Sequence, residues 1–440
     1  MTERILIRNA RLVDPASGRD EPGSVAIYGE RIAIVARADH AAGRLRDFEP
    51  TRTIDARGSV VAPGLVDLAA RLGEPGHEHE GLLESELAAA VAGGVTSLVC
   101  PPDTDPVLDE PGLVEMLKFR ARNLDLAHLY PLGALTQGLK GEALTEMAEL
   151  TEAGCVGFAQ ADVAVRDTLV LHRALQYAAT FGYCVWLRPN DAWLGNGVAA
   201  KGPLATRLGL SGVPVLAETI ALATIFELVR DTGARVHLCR LSSAAGVDLV
   251  RKAKAERLPM TCDASIHQLH LIDVDIGYFD AAMRLVPPLR QQRDRDAIRA
   301  GLADGTIDAL VSDHTPVGED AKNLPFAEAE PGATGLELLL GSALKWGDAS
   351  KLSLAQTLAT VTSRPAAVLA ASMGTRIAAV NGLHEGALAD LCMFAPDESW
   401  TVDGTTLASR SHHTPFARLE MPGRVRCTIV AGRIAYDAVE

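Results

Sequence analysis

The sequence predicts an α/β protein in which a parallel barrel of repeated βα units carries a small β domain assembled from both chain ends. Over about 300 central residues buried-strand signals alternate with helical ones, a pattern that places a site at the C-terminal ends of the strands. Short apolar runs broken by turn residues occupy both ends instead. No glycine fingerprint of a dinucleotide or P-loop fold follows an early strand, which counts against the open doubly wound sheet that periodicity leaves open.

The first strands are expected at Ile5-Leu6-Ile7, Ala10-Arg11-Leu12-Val13 and Ser24 to Tyr28, closed by Gly29, in a small antiparallel sheet. Ser97-Leu98-Val99-Cys100, Cys184-Val185-Trp186-Leu187, Arg235 to Cys239 and Ala309-Leu310-Val311-Ser312 read as buried barrel strands. Helices are expected at Ala217 to Arg230 and Gly246 to Glu256. The sheet texture returns at Ala389 to Phe394 and Val425 to Arg433, so the two ends are assigned to one domain. At 440 residues the chain exceeds the size at which one core keeps growing, and a large domain with a smaller companion follows.

With 48% hydrophobic and 22% charged residues the chain can bury a sizeable core. A formal net charge of -14 opposes a nucleic-acid or anionic-membrane partner. The seven cysteines stand singly, without the close pairs of a zinc site or the density of a disulfide scaffold, and read mostly as small buried hydrophobes. The N-terminus lacks the apolar stretch of a signal peptide, and no run approaches the roughly 18 apolar residues of a membrane span. A cytoplasmic protein is expected.

Function is carried by short motifs in a fixed order. Val61-Ala62-Pro63-Gly64-Leu65-Val66-Asp67-Leu68 resembles the start of the barrel in the amidohydrolase superfamily, and Leu72-Gly73-Glu74-Pro75-Gly76 narrows the likeness to dihydroorotases. Gly93-Gly94-Val95-Thr96, Pro287-Pro288-Leu289-Arg290, Ser312-Asp313-His314-Thr315-Pro316, Thr334-Gly335-Leu336-Glu337, Thr362-Ser363-Arg364-Pro365-Ala366 and Ala389-Asp390-Leu391 follow in the family's order. The resemblance spans essentially the whole chain. It implies a (β/α)₈ barrel over residues 62–374 and a small β-sandwich from residues 1–61 and 375–440.

Working members hold one or two metal ions that lower the pKa of a bound water and polarise the scissile carbonyl. The resemblance implies ligand positions that this sequence does not fill. The first-strand His-x-His pair falls on Ala69 and Arg71, and the bridging ligand on Gln160 and Ala161, with Asp162 displaced by one position. The two later histidines are replaced by Arg188 and Arg240, and only Asp313, the family's general acid/base, remains. The substrate-binding positions are also altered, to Gly73, Asp103 and Val317, which reads as an independent loss. No metal or other cofactor is therefore expected, and Asp313 reads as vestigial.

Arg71, Arg188 and Arg240 admit two readings: one or two of them pair with Asp313, which is favoured because buried charges are usually paired, or they form an anion site. His77 and His79, beyond the first strand, read as solvated loop residues. His237 is expected to point away from the pocket, since strand side chains alternate. The basic runs Arg251 to Lys254 and Arg290 to Arg295 read as solvated faces. The leading expectation is an inactive dihydroorotase-like subunit of pyrimidine biosynthesis that binds the catalytic chain of aspartate carbamoyltransferase and also forms a homo-oligomer. The alternatives are an active cyclic amidohydrolase with a remodelled mononuclear zinc site using Asp313 with His314 or His77, and a module that binds an anionic metabolite.

Overall fold

The computed structural model describes residues 3–373 and 382–438. The expected domain boundary at 374/375 lies outside the described residues. Eight parallel strand segments follow one another around a barrel: β6 (Leu65–Asp67), β7 (Val95–Cys100), β8 and β9 (His128–Pro131 and Gly133–Ala134, one continuous segment), β10 (Phe158–Ala159), β11 (Cys184–Leu187), β14 (Arg235–Leu238), β15 (Met260–Ser265) and β16 (Ala309–Val311). The ring closes where Ala70 bridges His314 in parallel, and the Arg71 amide donates to the His314 carbonyl at 2.8 Å. A further pair, β12 (Ala199–Ala200) and β13 (Gly212–Val213), sits in a loop.

These strands are buried on both faces, as parallel barrel strands must be, which explains their continuous apolar runs. β7 and β11 are buried at every residue. Helices Leu216–Thr232 and Ala244–Ala255 match the expected segments closely. The Ser243 side chain accepts from the Gly246 amide and starts the second of them.

The chain ends form an eight-stranded sheet in the order β19-β18-β17-β5-β1-β2-β3, with β4 on β1. Its strands are β1 (Arg4–Asp14), β2 (Arg19–Tyr28), β3 (Arg31–Arg37), β4 (Arg52–Asp55), β5 (Val60–Pro63), β17 (Leu391–Thr401), β18 (Glu420–Val430) and β19 (Arg433–Asp437). Ile5, Ile27, Ile54, Met393 and Ile429 belong to one buried cluster, so residues from both ends share a core. Two sequence expectations need correction. The two first runs are one strand bent at a bulge beside Asn9, whose φ is 57°. The sheet is mixed, because β4 and β5 run parallel to β1.

Between β17 and β18, residues 402–419 strap the barrel mouth. The Ser409 hydroxyl donates to Glu86 at 2.6 Å, the Ala408 amide to Glu337 at 2.8 Å, and the Thr334 amide to the His413 carbonyl at 2.8 Å. Among the described residues no helix is long and apolar enough to cross a membrane. All seven cysteines are free, and six are buried.

Candidate functional site

Beyond the C-terminal ends of β6, β10, β14 and β16 the chain bends sharply and turns charged side chains toward the barrel axis. Ala161, Arg240 and Asp313 take positive φ angles of 49°, 55° and 52°, a backbone region costly for residues with a side chain. Hydrogen bonds hold these bends. The Arg240 amide donates to Asp263 Oδ1 at 2.6 Å, and the Ser312 amide donates to the buried Asp67 at 3.0 Å. Burial raises the Asp67 carboxyl to about 6 even though Ser312 and Ala69 hydrogen bonds oppose it.

Asp162 is the centre of the constellation. Arg71 Nη2 donates to its Oδ2 at 2.8 Å, Arg188 Nε lies 2.6 Å from its Oδ1, and Arg240 Nη2 donates to the same Oδ1. Arg188 also donates to the Asp162 carbonyl at 3.0 Å. Burial pushes the Asp162 carboxyl up, but the guanidiniums of Arg240, Arg188 and Arg71 together hold it well below the usual carboxylate range. Arg240 spans two carboxylates, donating through Nη1 to Asp313 Oδ1 at 3.0 Å, while Arg71 donates to Asp103 Oδ2 from Nε and Nη2 at 3.0 and 2.8 Å. Three guanidiniums therefore meet three carboxylates in one connected lattice. Little positive charge is left over for an anion, which counts against the anion-site reading.

Asp313 is paired with Arg240, whereas Arg188, named with it as a candidate partner, pairs with Asp162. Asp162, set aside on the sequence as displaced by one position, joins all three arginines. Asp103 is no independent loss either, because it is the counter-ion of Arg71, so the two replacements belong to one ion pair. Gln160 faces a buried polar pair, accepting from Thr136 Oγ1 at 3.0 Å and donating to the Leu139 carbonyl at 2.8 Å. Ala69 packs against the apolar cluster of Val66 and Val311. At Gly73, with φ of 74°, an added Cβ would stand 2.2 Å from the Gly81 carbonyl oxygen, so no side chain fits there. Val317 is buried.

The remaining histidines sort by contact. His237 is fully buried in the barrel interior, bonded to Thr261 Oγ1 at 2.7 Å and Asp263 Oδ2 at 2.9 Å, with its ring 4.2 Å from that of Trp186. His237, Cys239 and Asp263 offer ligand atoms close together, but both imidazole nitrogens already have partners and burial raises the Cys239 thiol well above its ordinary value. His314 accepts at Nδ1 from the Gly335 amide at 3.1 Å and faces Glu86 through Nε2 at 2.8 Å, so it is locked into the wall rather than available to a ligand. His267 lies 3.7 Å from Asp313 and stacks on Phe416 of the strap, an element that gave no signal in the sequence. Arg290, read as part of a solvated basic run, is instead buried and donates to Ser242 Oγ at 2.7 Å.

A divalent ion at the family's metal position would have to displace this lattice. Three guanidiniums repel it, and Asp103, Asp162 and Asp313 are already paired. The residues present do not fit such a metal. What remains of the cavity, about 220 Å³, opens beside Arg71, Asp103 and Asp162 and is rimmed by His77, Glu80 and Glu330.

A (β/α)₈ barrel with an appended β-sandwich and a polar centre at the C-terminal strand ends is the architecture of the amidohydrolases. The fold is similar to that of an L-hydantoinase (dihydropyrimidinase) from Arthrobacter aurescens, with a TM-score of 0.86, 22% identity, and 100% of this chain and 97% of that one covered. A family model described as dihydro-orotase-like matches residues 58–245. A dihydroorotase-like protein of Pseudomonas aeruginosa is 42% identical over 98% of this chain and 99% of its own. A dihydroorotase of Syntrophotalea carbinolica is 39% identical over 98% and 99%. The chain belongs to the dihydroorotase-like family.

Proposed function

We propose that this chain is a non-catalytic member of its family, serving pyrimidine biosynthesis in the cytoplasm as a structural or regulatory subunit of aspartate carbamoyltransferase. The observation that carries the reading is the lattice of Arg71, Arg188 and Arg240 with Asp103, Asp162 and Asp313, which fills the position where the chemistry of the family needs a metal-bound water. Gly73 adds support, since the site offers no room there for an arginine that would read a substrate carboxylate. In this role the barrel acts as a folded scaffold, and homo-oligomerisation of the chain would multiply the partner sites.

The second reading, an active cyclic amidohydrolase, is favoured by the retained Asp313 and by whole-length relatives named dihydroorotase. Two measurements separate them. Purified chain supplied with zinc is assayed for dihydroorotate hydrolysis, and tagged chain is used to capture aspartate carbamoyltransferase co-expressed with it. The proposal expects no turnover above the buffer blank and a stoichiometric complex. Turnover overturns the non-catalytic reading, and a carbamoyltransferase that assembles fully without the chain overturns the subunit role.

A further inference from the structure

Beyond β10 and β11 the chain leaves a group of large apolar side chains uncovered. Trp193 is 71% exposed, and Leu216, Leu169, Val163, Ile220 and Leu194 are between 37% and 58% exposed. They gather on one face. Val163, Trp193 and Ile220 line a single cavity of about 130 Å³ together with Thr168, the chain neighbour of Leu169. Leu216 stands four residues before Ile220 on helix Leu216–Thr232 and so shares its side of the helix. The Asp191 amide donates to the Ala217 carbonyl at 2.8 Å, which ties the turn carrying Trp193 and Leu194 to the start of that helix. Asp191 Oδ1 accepts from the Trp193 and Leu194 amides at 3.0 and 2.8 Å, so the turn is already set. The six side chains expose on the order of 500 Å², which is as large as the biggest apolar patch of an ordinary monomer and most of the roughly 800 Å² per partner in a stable interface. Arg166 lies over the Trp193 ring, with Cζ 5.0 Å from the centroid. Among the described residues neither Arg166 nor the exposed Asp167 beside it makes an ion pair, and Asp167 Oδ1 accepts from the Leu169 amide at 2.8 Å.

We propose that this face is the contact between two copies of the chain, packed about a two-fold axis with Trp193 near its centre and Arg166 of each copy meeting Asp167 of the other. The inference rests on the homo-oligomer proposed above and adds the surface that forms it. A two-fold contact sets one patch against itself, so the patch must carry both halves of any charge pair it makes. Arg166 and Asp167 are such halves, adjacent in the chain and unpaired within it. The six large side chains around them are apolar, so two chains with a formal net charge of -14 each can meet there with little repulsion. Tryptophan and arginine are also the residue types that carry most of the energy at protein interfaces.

Sedimentation velocity of the full chain, from low to high micromolar concentration, should show a dimer. Trp193→Ala and Ile220→Lys should each weaken dimerisation at least about thirtyfold, and Arg166→Asp at least about tenfold. Circular dichroism and thermal melts check that these variants of exposed residues are folded. Tyr278→Ala, which removes a 90% exposed ring on another loop, should leave the dimer unchanged. A monomer at every concentration overturns the proposal and the homo-oligomer reading with it. A dimer that persists in both Trp193→Ala and Ile220→Lys keeps that reading and overturns this surface, as does a dimer dissociated by Tyr278→Ala. If the chain is a monomer that captures aspartate carbamoyltransferase and Trp193→Ala abolishes the capture, the face belongs to that partner and the second copy is overturned as its occupant.

Discussion

Arg240 holds Asp162 and Asp313 at once, and it is buried. Replacing it with alanine strands Asp313, which among the described residues has no ion pair with another arginine or lysine, and should cost about 3 to 5 kcal/mol. Asp313→Asn is also destabilising, because it leaves three guanidiniums with two carboxylates. Denaturant melts of both single variants and the double variant should give an Arg240–Asp313 coupling of about 1 to 3 kcal/mol. The same cycle with Arg188 should give a coupling near zero, since Arg188 reaches Asp162 instead. Equal couplings for the two arginines would contradict this wiring. Glu337 supplies a second residue-scale prediction. Burial, with a smaller push from Glu86, raises its carboxyl to about 7 against hydrogen bonds from Ser409 and Ala408. The folded chain therefore holds this proton more tightly than the unfolded chain, and stability falls as pH rises from about 4.5 to about 7. Glu337→Gln should be more stable than the parent by roughly 2 kcal/mol at pH 8 and no more stable at pH 4.5. Parallel melts across that range that show a constant difference would count against it.

Among the elements, the β6 loop and the 402–419 strap decide what the mouth can contain. The left-handed backbone of Gly73 and its close approach to Gly81 make the loop incompatible with any larger residue. Gly73→Arg, which would reinstate the family residue, should therefore destabilise by at least about 2 kcal/mol and yield no hydrolysis, measured by melts and a dihydroorotate assay. A stable variant with measurable turnover would refute this account of the loop. The strap acts through Glu86, a fully buried carboxylate that accepts from Ser409 and Ser85 and the Arg410 amide while facing His314. It closes the wall that holds His314, whose ring nitrogens are both engaged by Glu86 and Gly335, while Phe416 of the strap stacks on His267.

For the whole molecule, barrel closure and the charge lattice are joined, because Arg71 contributes its amide to the first and its guanidinium to the second. Restoring the family pair with Ala69→His and Arg71→His would remove the counter-ion of Asp103 and one of those of Asp162. The double variant should melt lower than the parent by several degrees and remain without turnover in the presence of zinc, since Arg188, Arg240 and Gly73 are unchanged. Scanning calorimetry and the hydrolase assay check both parts. Recovered turnover would mean that the lattice is not what opposes catalysis.

The sequence by itself determined the order of βα units, the pairing of the two chain ends in one sheet domain and the family, because strand and helix periods and ordered motifs are local signals. Through the resemblance it also offered Ala69, Arg71, Gln160, Arg188 and Arg240 as the residues standing at expected ligand positions. Which charge meets which was decided only by the tertiary structure. Asp162 looked misplaced by one residue until the left-handed turn at Ala161 re-aimed it, and Asp103 looked like a separate loss until Arg71 was found against it. His314 was a ligand candidate in the alternative reading and Arg290 read as a surface cation because neither residue type records its burial. A salt bridge between strands tens or hundreds of residues apart leaves no periodic trace, since its partners are selected by the closure of the barrel and by the cost of leaving a buried charge alone.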